Sequence, residues 1–426
     1  MTRQSTSSSE GHRESRWRRA VAWFSRRGCW LLFCLLVAQP NVAETGQAVP
    51  LLLGMSSVFS GTAAELGLQM RQGVLAGIQR INRQGGVRGR SLALLALDDG
   101  YEPSRTAPNM RILIEEQEVL AVVGNVGTPT AIAAIPIVNR NRTLLFAPFT
   151  GAGVLRKHPP ERYIINYRAS YEEETAAMVD ALVTHARIPL EQIAFFTQRD
   201  GYGDAGFAGG VQAMRKHGLR DATRVLHVRY ERNTLAVENA LADLLLRDPP
   251  VKALIMVGAY APTAKLIQLA RGHGLEALFL SVSFVGSDAL VKALGEGYEG
   301  VIVTQVVPHF MSDLPLVAEF RADLREMDPL VEPSFGSLEG YIGMRILGRA
   351  LNSLEREPDR ESLVDAIEGL GQFDLGLGFP LTLSPAQHQA SHGVWPTILR
   401  AGQFVPFHWP DLARQAERSN PAGEHP

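Results

Sequence analysis

An α/β fold, with parallel sheets covered on both faces by helices and divided between two lobes, follows from three features of the sequence. From Val49 onward, short apolar runs alternate with longer stretches of helical period. The runs are continuously apolar, the pattern of strands buried on both faces rather than strands with one wet face. A Pro-bearing segment, HPPERYIINYRASYEEE (158–174), interrupts the alternation after four units and reads as a passage between lobes.

The strand-like runs before that passage are VPLLLGM (49–55), SLALLAL (91–97), VLAVVG (119–124) and TLLFAP (143–148). After it come IAFFT (193–197), VKALIMVG (251–258), LFLSV (278–282) and GVIVTQVV (300–307). The first helix places Met70, Val74, Ile78 and Ile81 on one face and stops at Gly85-Gly86, where glycine suits the left-handed turn that ends a helix. Gly73 and Gly77, four apart, either let that helix approach the sheet closely or are incidental. Beyond Pro308 the period lengthens into two helices at roughly 313–327 and 336–355. Short strand-like runs with Gly and Pro follow from Phe373, and the polar tail after Asp411 is expected to be mobile.

The chain has 426 residues, 46% hydrophobic and 20% charged, with a formal charge of −2. That balance excludes a disordered or collagen-like chain and gives no global basic field for nucleic acid. The average hides an asymmetry. Residues 1–43 hold seven Arg against two Glu, a net of +5, which leaves −7 for the rest. An Arg-rich stretch, an apolar run from Trp30 to Ala38 and a small-residue region near Ala43 follow the order of a cleavable secretory signal peptide. Nine apolar residues fall well short of the ~20 that span a bilayer, so no membrane span is expected after cleavage. Both cysteines, Cys29 and Cys34, lie in this leader, so the exported body is expected to fold without disulfides in the periplasm.

Few motifs point to chemistry. GYGDAG (201–206) has the G-x-G-x-x-G spacing, but three residues separate it from the preceding strand and Tyr202 and Asp204 crowd the phosphate position, so it reads as a strand-to-helix loop and no cofactor is expected. His388 and His392 lack the acid of a metalloprotease helix and sit in a turn-like segment, so no metal is expected. No nucleophile elbow, P-loop or kinase signature is present, and no enzymatic activity is expected.

Two glycine turns carry more information. In GNVGTPT (124–130) Thr128 offers an N-cap hydroxyl and Pro129 suits the first helical position, which leaves backbone N–H groups and a helix dipole for an anion. APFTGAG (147–153) supplies Thr150 after the next strand. In a parallel sheet both turns emerge at carboxyl ends of strands, where open α/β sheets bind ligands, and together they suggest a carboxylate clamp.

FSGTAAELG, INRQGGVRGR, DDGYEP, GNVGTPT, APFTGA, YIINYRASY, DGYGDAG and GAYAP occur in an order and spacing that resembles the type I periplasmic binding proteins, in particular the leucine/isoleucine/valine-binding class that feeds ABC transporters. The resemblance covers about residues 48–407. It implies two Rossmann-like lobes joined by a three-segment hinge, with lobe one at 48–168 and 306–371, lobe two at 169–305 and 372–410, and a tail at 411–426. It implies that a ligand carboxylate is held by Thr128 and by Phe149, Thr150 or Gly151, with Gly127 also among the ligand-binding residues. Tyr260 and Tyr202 would cover the ligand from lobe two, Tyr171 would face the cleft at the crossing, and Ser60 and Leu66 would line the side-chain pocket.

Two departures from the family pattern bear on the ligand. The acidic partner of a ligand ammonium is replaced by Ser283 or Phe284, so either Asp200 or Asp204 substitutes or the ligand lacks that charge. Positions that form a disulfide in some members hold Tyr101 and Gly127, and Tyr101 is expected to plug or line the pocket. The resemblance thus implies a monomeric periplasmic substrate-binding protein that captures an amino acid or similar small carboxylate and delivers it to an inner-membrane ABC permease. A periplasmic sensor for a membrane signalling protein is the alternative.

Overall fold

The computed structural model describes residues 49–418. The leader, with both cysteines and the expected cleavage region, lies outside the described residues, as does the chain after Arg418. The first series of elements is β1 (Leu51–Ser57), α1 (Ala64–Arg83), β2 (Leu92–Asp98), α2 (Pro103–Arg111), β3 (Ala121–Val123), α3 (Thr128–Arg140), β4 (Leu144–Phe146) and β5 (Ile164–Ile165). The second is α4 (Tyr171–Thr184), β6 (Ile193–Gln198), α5 (Gly201–Lys216), β7 (His227–Tyr230), α6 (Glu238–Leu245), β8 (Ala253–Val257), α7 (Tyr260–Gly272), β9 (Leu278–Ser281), α8 (Ser287–Leu294) and β10 (Ile302–Gln305). Then come α9 (Pro315–Met327), α10 (Phe335–Asn352), α11 (Arg360–Glu368), β11 (Gly371–Phe373), β12 (Leu381–Leu383), β13 (Trp395–Arg400), β14 (Gln403–Pro406) and α12 (Leu412–Arg418).

Two sheets organise these elements. The first has the order β2-β1-β3-β4-β5 and is parallel throughout. The second has the order β14-β13-β10-β9-β8-β6-β7, parallel from β10 to β7, with β13 and β14 added antiparallel. Strand order reverses at β1 and at β6, so each lobe has a switch-point crevice at its strand carboxyl ends. The apolar runs become strands because both faces are covered: every residue of β3 and of β8 is buried. The sequence misses β5 and β7, the first because it is two residues long inside the passage segment, the second because HVRY alternates instead of running apolar.

The close approach made by α1 is to α10, not to the sheet. A Cβ at Gly73 would stand 1.8 Å from the Ser337 carbonyl oxygen, and one at Gly77 would stand 2.4 Å from Met344 Cβ. The apolar face of α1 is thereby free to cover the sheet while its glycine face meets the second helix.

The chain passes between the sheets three times, and the first and third passages are stitched together. Asn166 N donates to His388 O at 2.7 Å, Ala390 N to Asn166 O at 3.0 Å and Ser391 N to Tyr167 O at 2.8 Å. The second passage follows β10. The expected return to lobe two at 372 is too early. Phe373 lies under the Arg349 guanidinium of α10 at 5.6 Å, Leu316 N of α9 bonds Gly376 O at 3.2 Å, and the chain rejoins the second sheet at β13. The short Gly- and Pro-broken runs after 371 make the β11–β12 ribbon on lobe-one helices instead of sheet strands. As far as Arg418 the chain packs on the body: Leu412 of α12 is fully buried, and Gln415 occupies the place a Cβ at Gly300 would take.

Candidate functional site

The two glycine turns meet at the carboxyl ends of β3 and β4. Phe149 N donates to Asn125 O at 2.7 Å and Gly127 N to Phe149 O at 3.2 Å, which holds the turns side by side. Gly127, at φ 102°, is the N-cap of α3, so Thr128 is its first helical residue and not the cap expected from sequence. Glycine is required there twice over. L-residues rarely adopt that φ, and a Cβ would stand 2.1 Å from the Tyr101 ring. With no side chain capping α3, the Thr128 hydroxyl is free to share a 2.7 Å hydrogen bond with that of Thr150, and both are buried. Gly151 closes the second turn by accepting the Tyr171 N–H at 2.8 Å.

Aromatic side chains from both lobes fill the space in front of these turns. Ring centroids lie 5.1 Å apart for Tyr171 and Tyr202, 4.6 Å for Tyr202 and Phe284, 5.5 Å for Phe149 and Phe284, and 6.0 Å for Tyr101 and Phe284. Tyr101 is buried, and its hydroxyl accepts a 3.1 Å bond from Gln198 of the opposite lobe. The Tyr202 hydroxyl donates to Gly258 O at 3.4 Å. That of Tyr171 lies beside Thr150 but makes no hydrogen bond of good geometry, and burial, opposed by Arg168, pushes its pKa up to about 12.

A buried ionic group stands next to the rings. Arg168 is fully buried, its guanidinium 4.6 Å from the Phe149 centroid and 5.9 Å from that of Tyr171. Its Nη2 contacts Ser283 Oγ and lies 3.8 Å from Glu174 Oε1, while Nε lies 3.7 Å from Glu339 Oε1. Neither Nε nor Nη1 has a hydrogen-bond partner among the described residues. Glu174 instead accepts from Ser283 N at 2.7 Å, Ser283 Oγ at 3.0 Å and Thr304 Oγ1 at 2.6 Å. Burial raises the pKa of both carboxyls, Glu339 to about 7, with Arg168 opposing in each case.

The other expected residues lie away from this cluster. Leu66 packs across the lobes against Gly286, where a Cβ would stand 2.5 Å from Leu66 Cδ2. Tyr260 is half-buried at the start of α7 with its hydroxyl against the Glu65 backbone. Ser60 is exposed and donates to Asp98 Oδ2 at 2.6 Å, so it does not line the aromatic cleft. Neither Asp200 nor Asp204 reaches Ser283. Asp200 caps α5 by accepting the Tyr202 N–H at 3.0 Å and pairs with Arg232 at 3.1 Å, and Asp204 pairs with Arg229 at 2.5 Å. The glycines of GYGDAG seat α5 on its sheet: Cβ atoms at Gly203 and Gly206 would stand 2.0 Å from Gln198 O and 2.6 Å from Val257. His388 bonds Ile164 O at 2.9 Å and Glu368 at 3.0 Å, while His392 bonds Glu173 at 2.6 Å, so the two imidazoles serve separate contacts.

Residues 50–403 match the family described as periplasmic binding protein. The chain belongs to that family. Among solved structures, a possible leucine/isoleucine/valine-binding protein from Rhodopirellula baltica is 54% identical, with a TM-score of 0.85 over 87% of this chain and 99% of that one. A substrate-binding periplasmic protein from Ralstonia solanacearum is 26% identical, with a TM-score of 0.76 over 84% and 99%. An amino acid binding protein from Pseudomonas aeruginosa is 24% identical over 75% of this chain and 83% of its own. These relatives bear out the expected type I fold and the expected likeness to the leucine/isoleucine/valine-binding proteins.

Sequence reasoning missed three residues of the site in this periplasmic binding protein: Arg168, Glu174 and Glu339. A signal for Glu174 was present in SYEEE. On a helix starting at Tyr171, only the last of the three glutamates shares a face with Tyr171, Thr175 and Met178, all buried. Glu339 shares the buried face of α10 with Gly336, Gly340 and Gly343, where its charge has no companion in the local sequence.

Proposed function

We propose that this periplasmic binding protein is the solute-capturing component of an ABC importer. It holds a small carboxylate-bearing molecule between its lobes and presents the closed form to an inner-membrane permease. The observation that carries this reading is the hydroxyl pair of Thr128 and Thr150 at the uncapped start of α3, with Tyr171 from the other lobe beside it. Backbone N–H groups, a helix dipole and hydroxyl donors at one point suit a carboxylate. Gly127, Phe149 and Gly151 shape the turns, Tyr101, Tyr171 and Tyr202 wall the cleft, and Leu66, Tyr260 and Ser283 lie where the lobes meet.

Capture needs no covalent step. Ligand binds the closed arrangement better than the open one and shifts the population toward it. The expected working state is a monomer released into the periplasm after removal of the leader. A thermal-shift screen over amino acids, short carboxylates and the corresponding amides tests the reading, because a ligand that binds only the folded state raises Tm. Carboxylates are expected to raise Tm and amides to leave it unchanged. A flat response to the whole panel would overturn the proposal.

A further inference from the structure

Resting on the carboxylate reading above, we infer that the ligand of this cleft is an apolar carboxylic acid without an α-ammonium group, because Arg168 occupies the place where a ligand cation would sit. The guanidinium lies between the Phe149 ring and Ser283, flanked by Glu174 and Glu339. An amino acid would bring a second cation into this buried space, and a buried ammonium needs an acid of its own.

Five acids around the cleft are already engaged by hydrogen bonds or ion pairs. Glu174 accepts three hydrogen bonds from Ser283 and Thr304. Asp200 and Glu102 are held by Arg232, and Glu173 by Ser170, Gln389 and His392. Asp99 accepts from Ser56, Tyr101 N and Thr106. Glu339 faces Arg168 Nε at 3.7 Å, with Glu174 and Arg156 as its other charged neighbours.

Donors show the opposite imbalance. Among the described residues, Nε and Nη1 of Arg168 are buried without a hydrogen-bond acceptor, the Tyr171 hydroxyl is buried without a well-formed bond, and the start of α3 carries no side-chain cap. Leaving such donors unmatched is costly, and a carboxylate offers about four lone-pair sites to meet them. The walls of Tyr101, Phe149, Tyr202 and Phe284 suit an aromatic or branched aliphatic body.

Calorimetry of the intact protein with matched pairs tests this: 3-phenylpropanoate against phenylalanine, and 4-methylpentanoate against leucine. The acid of at least one pair is expected to bind on the order of a hundredfold more tightly than its amino acid, given the cost of an unpaired buried ammonium. Arg168→Gln is expected to lose that preference, with a circular dichroism melt as the control for folding. If the variant does not fold, the wild-type pairs decide alone. Amino acids binding as tightly as the acids would overturn this inference and leave the importer reading standing, and loss of that binding in Glu339→Gln would name the acid that received the ammonium. No heat from any of the probes would overturn both.

Discussion

The hydroxyls of Thr128 and Thr150 share a 2.7 Å hydrogen bond across 22 residues of sequence. That bond joins the turns after two neighbouring strands and places two hydroxyls at the start of α3, one of them with its proton free for a ligand, so the sheet topology itself builds the site. Thr150→Ala leaves the Thr128 hydroxyl buried without this partner, which costs about 1–3 kcal/mol. Denaturant unfolding is expected to show that loss, and ligand affinity to fall about tenfold or more. An unchanged affinity would remove the threonine pair from the binding account.

Tyr171→Phe separates binding from folding. The hydroxyl makes no well-formed hydrogen bond, so its removal is expected to change stability by less than about 1 kcal/mol while weakening carboxylate binding. A parallel loss of stability and affinity would mean that Tyr171 acts only through the fold.

Gly127→Ala meets two obstacles, a positive φ and the Tyr101 ring. Destabilisation of about 2–4 kcal/mol is expected, from a backbone term of about 1–3 kcal/mol at this φ and ψ plus the clash. Tyr101→Leu in the same chain is expected to recover only the clash. Full recovery in a double-mutant cycle of melting temperatures would show that the backbone conformation carries no cost.

Across the cleft from the hinge, Arg232 pairs with Glu102 at 2.8 Å and Asn233 donates to Glu102 at 2.6 Å, which ties the loop after β7 to the loop after β2. Glu102 is partly exposed, so the tie is worth about 0.5–1 kcal/mol after solvent screening. Glu102→Gln is expected to raise the ligand off-rate two- to fivefold, by about that free energy, with little change in Tm. Stopped-flow release reads it, and an unaltered rate would show that this contact does not hold the lobes together.

Glu339 gives a pH signature. The charged groups facing it are Arg168, Glu174 and Arg156, and burial raises its pKa to about 7. An unfolded glutamate titrates near 4.3. The folded state therefore holds a proton that the unfolded state has released between these values. The contribution of Glu339 is fully present below about pH 4.3, declines across the interval and is gone once pH rises through about 7, at about 1.4 kcal/mol per unit. Subtracting the stability curve of Glu339→Gln from that of the wild type is expected to leave this falling segment. A flat difference would place the carboxyl at an ordinary pKa.

The fold was legible because continuous apolar strands and helical period are local signals, and the turns at Thr128 and Thr150 were legible because glycine, threonine and proline announce a strand-to-helix junction. The lobe return near 372 was misplaced because short apolar runs do not say which sheet they join. Arg168 and Glu174 sat inside a segment read only as a passage, and Glu339 lies 165 residues from Glu174, so only the fold brings these charges together. Asp200 and Asp204 had the right chemistry, but Arg232 and Arg229 claim them.

The most direct test of the account is titration calorimetry of the intact protein with small apolar carboxylates, repeated on Thr128→Ala. Saturable one-to-one binding that weakens about tenfold or more in the variant is the predicted result. Binding that Thr128→Ala leaves unchanged, or no heat at all, would contradict it.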